Sequence, residues 1–142
     1  MFEKILVVCV GNICRSPMGE ALLSQALPDT SRVSSAGIGA LVDEPADTKV
    51  LELMRERGLD MSMHRGRQLD EALLRANDLL LVMERGHQEW IESRWPQARG
   101  RVYRLGHWSN FDIPDPYRKD EAAFREVLAL IERGIMEWKE RL

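Results

Sequence analysis

The chain contains no apolar run approaching the ~20 residues that a membrane helix requires, so nothing in it reads as a membrane insertion. Its first apolar stretch, Ile5–Val8, is too short for a secretory core and carries Glu3 and Lys4 directly before it. Cysteine is scarce: Cys9 and Cys14 are the only two, and they sit too close in sequence to staple a fold. With no export signal, the reducing cytoplasm is the expected address. Histidine is scarce too. His64, His87 and His107 are widely spaced, offer no zinc spacing and predict no metal site. Positive charge is not in excess: the net charge of −3 argues against general nucleic-acid or membrane-surface binding. Any cation the function uses must therefore be local. No repeat, low-complexity stretch or linker divides the chain.

What remains is an ordinary globular sequence of 142 residues, long enough for one domain spanning residues 1–142. Glu3–Val8 reads as a buried strand. Pro17 suits the first turn of a helix that continues over Met18–Leu27. Arg32–Ser35 is a short strand closed by a glycine turn, and Asp47–Arg57 has helical spacing with Gly58 as its stop. Asp70–Ala76 is a short helix. Asp78–Met83, with its Leu-Leu-Leu-Val run, reads as a strand buried on both faces. Glu84–Trp95 is helical up to Pro96, and Val102–Leu105 is another strand. Asp120–Leu142 puts Phe124, Val127, Leu128, Ile131, Ile135, Trp138 and Leu142 on one stripe despite Gly134. Strands alternating with helices predict an α/β fold: a single three-layer domain with a central parallel sheet of about four strands flanked by helices on both faces. Ligands in such folds bind beyond the carboxyl ends of the strands, where Cys9 falls.

The segment Cys9-Val10-Gly11-Asn12-Ile13-Cys14-Arg15-Ser16 carries the chemistry. Five residues between Cys9 and Arg15, set between a strand and a helix, let a backbone loop wrap one tetrahedral dianion. The amides of Val10, Gly11, Asn12, Ile13, Cys14, Arg15 and Ser16 converge like a nest, and the following helix adds its positive end. Arg15 closes the ring with a planar fork that takes two phosphate oxygens. Cys9 lies beneath, in a field that favours thiolate. A nucleophile for phosphate monoesters is the expected role. Turnover also needs a proton for the leaving oxygen, and Asp115 is the candidate: Pro114 and Pro116 restrict the backbone around it, in a loop following the last strand. Asp112 and Asp43 are weaker rivals, because nothing nearby fixes them.

The motif from Cys9 to Ser16, its place near the N-terminus and the distant Asp115-Pro116-Tyr117 resemble the low-molecular-weight protein tyrosine phosphatases. The resemblance extends through Ser35-Ala36-Gly37, His64, Leu81–Glu84 and Gly106-His107-Trp108. It implies a protein-tyrosine-phosphatase acting through a phosphocysteine intermediate without a cofactor. Cys9 would be the nucleophile, Arg15 the phosphate clamp, and Asp115 the acid and then the base. Asn12, Ser16, Ser35 and His64 are similar to the polar network that supports the loop, with Ser16 donating to sulfur. Ala36–Leu41 and the stretch from Gly106-His107-Trp108 to Tyr117-Arg118-Lys119 resemble the bacterial branch linked to exopolysaccharide and capsule export. That branch implies a phosphotyrosine protein as partner, a cognate tyrosine autokinase, with inorganic phosphate or another oxyanion held in the site. The large aromatic of the eukaryotic branch is absent near Leu41, so the substrate rim falls to Leu41, Tyr117 and apolar neighbours.

Plainer readings stand beside several of these. Cys14 is either a compact loop residue or a partner that captures oxidised Cys9 as a disulfide. His64 and Ser35 are structural supports. His87 and His107 have no visible partner and read as incidental. Trp90, Trp95, Trp108 and Trp138 read as packing, with Trp108 a candidate to flank the acid loop. Arg65, Arg67 and Arg75 read as solvated surface, with steering of an acidic phosphopeptide as the alternative. Three other functions compete. Arsenate reduction needs relay cysteines far along the chain, and none follows Cys14. A phosphocarrier has no use for Arg15 together with Asp115. A non-catalytic phosphotyrosine binder would not need the intact nucleophile.

Overall fold

The computed structural model describes residues 2–29 and 32–142. Four parallel strands form one sheet among them: β1 (Ile5–Cys9), β2 (Val33–Gly37), β3 (Leu79–Val82) and β4 (Val102–Arg104), in the order β2-β1-β3-β4. The helices are α1 (Arg15–Ala26), α2 (Thr48–Glu56), α3 (Glu71–Ala76), α4 (Arg85–Arg94) and α5 (Glu121–Lys139), with short 3₁₀ turns at Pro96–Ala98 and His107–Ser109. None of the described helices is long and apolar enough to cross a membrane.

Alternation along the strands divides the core into two layers. Ile5, Val7 and Cys9 of β1, with Leu79 and Leu81 of β3, pack against α1, α2 and α5. Leu6 and Val8, with Leu80 and Val82, pack against α3 and α4 through Leu74 and Ile91. A central strand buried on both faces has no solvent side to keep polar, which is why β3 is a continuous aliphatic run. Gly134 of α5 is explained by close approach: a Cβ there would meet the Leu105 side chain at 2.8 Å. The helix therefore retains a residue of poor helical propensity where it lies against the end of β4.

Sheet order fixes the site. The chain leaves β1 towards β2 on one side, and β3 and β4 continue on the other, so the strand order reverses between β1 and β3. A crevice opens at the carboxyl ends at such a point. The loop after β1 carries Cys9–Arg15, Glu84 follows β3, and the loop after β4 carries Asp115. Most elements differ from expectation by a residue or two at their ends, and β1 runs from Ile5 to Cys9 rather than from Glu3 to Val8. α1 starts at Arg15 rather than Pro17, β2 runs on to Gly37, and α5 stops at Lys139, short of Leu142.

Candidate active site

The loop from Cys9 to Arg15 is held by its carbonyls. Cys9 O accepts from Ile38 N at 3.0 Å, Val10 O from Gly39 N at 3.0 Å, Gly11 O from Leu41 N at 2.9 Å and Ile13 O from Asp47 N at 2.9 Å. Asn12 O accepts from His64 Nε2 at 2.7 Å, and Cys14 O from Met18 N at 3.3 Å. The amides behave in the opposite way: from Val10 to Arg15, none has a protein acceptor among the described residues. Backbone N–H groups that lack partners while their carbonyls are tied back form an anion-binding concavity. Asn12 makes the turn possible. Its φ is 60°, the left-handed region that Asn tolerates better than most residues. At Gly37, directly behind the loop, an added Cβ would run into the Val10 carbonyl, so the close strand-to-loop approach requires glycine.

Behind the loop lies a closed polar network. The Asn12 side chain is 0% exposed; its Nδ2 donates to Ser16 Oγ at 2.7 Å and to Ser35 Oγ at 3.0 Å, and its Oδ1 accepts from Arg67 N at 3.0 Å. Ser35 hands its own proton to Glu20 Oε1 at 2.5 Å. Ser16 Oγ, already accepting from Asn12, stands 2.9 Å from Cys9 Sγ, and its one proton is within reach of that sulfur and, at 3.5 Å, of the Ala36 carbonyl. Each buried polar atom named here thus has a partner, as a rigid network requires.

Arg15 begins α1 and is only 2% exposed. A buried guanidinium is tolerated only when paired. Its Nη1 donates to Glu84 Oε2 and, at 2.8 Å, to the Ile113 carbonyl. That leaves Nε and Nη2 uncommitted on the other side of the fork, with Nη2 3.9 Å from Asp115 Oδ2. Asp115 turns its other oxygen back to accept from Tyr117 N at 3.0 Å, and its carboxylate is 48% exposed.

These groups enclose a cleft of about 200 Å³ lined by Cys9, Val10, Gly11, Ile13, Cys14 and Arg15, with Gly39, Leu41, Asp115 and Tyr117 completing it. The residues expected at the site from sequence therefore converge. The side chains of Asn12, Ser16, Ser35 and His64 do not line the cleft; they support the loop from behind. Both cysteines are free. Cys14 donates its thiol towards Asp47 Oδ2 at 3.9 Å. Burial, and then the Asp47 carboxylate, push its pKa well above the usual thiol range.

Several expectations need correction. Asp112 is far from unfixed: it takes Arg104 Nη1 at 2.9 Å and the Arg85 amide at 3.1 Å, which commits it as an anchor rather than an acid. Asp43, at φ 65°, stays outside the cleft. His107 packs its ring edge-on to Tyr103 and Trp108. Trp108 stacks on Arg141 and packs against Trp138. Arg67 is exposed as expected, yet its Nε donates to the Ser35 carbonyl at 2.8 Å. His87 is buried against Glu84. Sequence reasoning missed Glu20 and Glu84. A buried arginine demands a carboxylate, and that demand is the one signal that points to Glu84.

Comparison with known proteins adds to this geometry. The family model described as low molecular weight phosphotyrosine protein phosphatase matches residues 4–142. The probable low molecular weight protein-tyrosine-phosphatase EpsP of Ralstonia nicotianae is 51% identical, over 100% of this chain and 97% of its own length. The tyrosine phosphatase Wzb from Escherichia coli K30, solved in complex with sulphate, is similar with a TM-score of 0.93 at 47% identity, covering 99% of each chain. Vibrio vulnificus Wzb in complex with benzylphosphonate gives 0.95 at 44% identity, over 100% of both.

Proposed function

The chain belongs to the low molecular weight phosphotyrosine protein phosphatase family, and from that premise we propose that it hydrolyses phosphotyrosine in proteins through a phosphocysteine formed on Cys9. The observation that carries the reading is the run of unpartnered amides from Val10 to Arg15, joined by the free side of the Arg15 fork, in the cleft that holds the Cys9 sulfur.

In the first step the Cys9 thiolate forms an S–P bond in line with the scissile P–O bond, and Asp115 gives its proton to the departing phenolate oxygen. Water then attacks phosphorus while the Asp115 carboxylate takes its proton; the S–P bond breaks and the electron pair returns to sulfur. Ser16, 2.9 Å away, donates to that sulfur as it leaves. The loop amides and Arg15 stabilise charge on the equatorial oxygens throughout. Positioning and electrostatics therefore supply most of the acceleration.

The loop recognises the dianion and the rim reads the rest. Leu41, Tyr117 and the exposed Val10 wall the mouth, so a long aryl ester reaches the sulfur better than a short alkyl one. A bacterial tyrosine autokinase that controls polysaccharide synthesis or export is the proposed physiological substrate, and the cytoplasm the proposed compartment. Support comes from the branch-specific stretches Ala36–Leu41 and Gly106–Lys119 and from the likeness to EpsP and Wzb. The test compares turnover of phosphotyrosine and phosphoserine peptides and of arsenate. Strong preference for phosphotyrosine is expected. Equal rates on both peptides, or arsenate reduction as the faster reaction, would overturn the reading.

A further inference from the structure

His87 sits in the first turn of α4, 7% exposed, and takes no part in the steps above. Both of its ring nitrogens are directed at one residue. The Glu84 backbone N–H reaches Nδ1 at 3.2 Å. An amide only donates, so Nδ1 is the acceptor and the ring proton of the neutral side chain is on Nε2. Nε2 lies 3.5 Å from Glu84 Oε2, the same oxygen that takes Arg15 Nη1. One imidazole thus holds the Glu84 backbone by a hydrogen bond and stands within ion-pair reach of its carboxylate, and Glu84 holds the guanidinium.

The geometry points to His87 as a positioning residue of the Arg15 clamp: its neutral, Nε2-protonated form anchors the backbone of Glu84, the residue whose carboxylate orients the fork, and protonation undoes this. The inference rests on the reading that Arg15 binds phosphoryl oxygens. Its chemistry is simple. A proton added to Nδ1 faces the Glu84 N–H, donor against donor, so the contact at the head of α4 must break. The imidazolium also competes with Arg15 for Oε2.

The groups facing the ring come from three elements. Arg15 belongs to α1, Glu84 to the head of α4, and Asp112 and Asp115 to the loop after β4. Burial first, then the Arg15 charge, oppose protonation, while the three carboxylates favour it. The balance holds the pKa below the ordinary 6.5. The ring is therefore neutral at neutral pH, with the clamp set, and the release belongs to mildly acidic conditions.

Sulfate is the probe, because it remains a dianion over about pH 5 to 8, where histidine titrates. Its affinity is measured by calorimetry on Cys9→Ser protein with and without His87→Gln. Glutamine at this helix position accepts the same amide proton and does not titrate. The ratio of the two affinities cancels every pH effect that is common to both proteins. The His87 protein should lose about tenfold relative to His87→Gln on acidification, the order of one lost charge-assisted contact. Parallel pH profiles would overturn the inference, since sulfate affinity would then not follow the protonation of His87. Nitrogen NMR of His87 in the unmutated protein supplies an independent check: an Nδ1-protonated neutral ring also overturns it. Sulfate that binds neither protein at any pH defeats the reading of the loop as an oxyanion site. Binding with a constant ratio defeats only the role of His87.

Discussion

The loop after β1 and the loop after β4 face one cleft, yet the first is held on every side and the second at a few points. Each carbonyl from Cys9 to Cys14 is tied back, and the Asn12 side chain is wholly enclosed. Asp115, by contrast, is about half exposed, and one amide fixes one of its oxygens. The anchors of its loop lie upstream: Ile113 N donates to Met83 O at 2.8 Å, and Arg104 holds Asp112 at 2.9 Å and Asn110 at 2.5 Å. On the proposed mechanism, recognition of the dianion is thus built into the fold and costs little reorganisation when charge develops. Proton delivery, on the same proposal, comes from the surface with remote supports. Damage to the first loop should be severe whatever the substrate. Damage to the second should be graded and depend on the leaving group.

The most drastic way to sharpen this contrast short of removing the nucleophile is Arg15→Lys. An ammonium keeps the charge but cannot satisfy Glu84, Ile113 O and two phosphoryl oxygens together. A loss on the order of 10²–10³ in kcat/KM is expected for every ester; a loss below tenfold breaks the comparison. Asp115→Asn comes next. It should slow unactivated aryl phosphates by on the order of 10² and spare esters with good leaving groups. An equal effect on both removes Asp115 from the acid role.

Arg104→Met tests the remote supports. Without Arg104, Asp112 and Asn110 lose their anchor, and turnover of poor leaving groups should fall by roughly threefold to tenfold, within the range of misplacement effects. Sulfate affinity should hold. A change in sulfate affinity instead would mean that the two loops are not independent.

The smallest effects are in stability against pH, and they take opposite signs. His87 has a lowered pKa, so its contribution is complete above the ordinary 6.5 and is lost as pH falls through the folded value. Cys14 has a raised pKa, so its contribution is complete below the ordinary 9.0 and declines at higher pH. Denaturant midpoints measured across pH should show the acid loss shrink in His87→Gln and the alkaline loss shrink in Cys14→Ala. Unchanged slopes would contradict the assignments.

The sequence revealed most where a local rule decides the outcome. Leu79–Val82 is legible as a doubly buried strand because its run of aliphatics admits little else, and the Cys9–Arg15 spacing is legible because a dianion has one size. The start of α1 was harder. Its first turn buries Arg15, Ser16 and Pro17, held by site contacts rather than by apolar periodicity, so the helix reads as starting late. Glu84 was hidden for a different reason: it meets Arg15 from 69 residues away, and its own neighbours read as an ordinary helix start. His87 followed it into obscurity, since its partner is a residue whose importance is itself tertiary.

The account stands on covalent catalysis by Cys9. The direct measurement is rapid acid quenching of the protein during turnover of an aryl phosphate, followed by mass spectrometry of its peptides. Phosphate on the sulfur of Cys9, formed and consumed at rates that match turnover and absent in Cys9→Ser, is the predicted result. Turnover that persists in Cys9→Ser, or phosphate found on another residue at those rates, would contradict it.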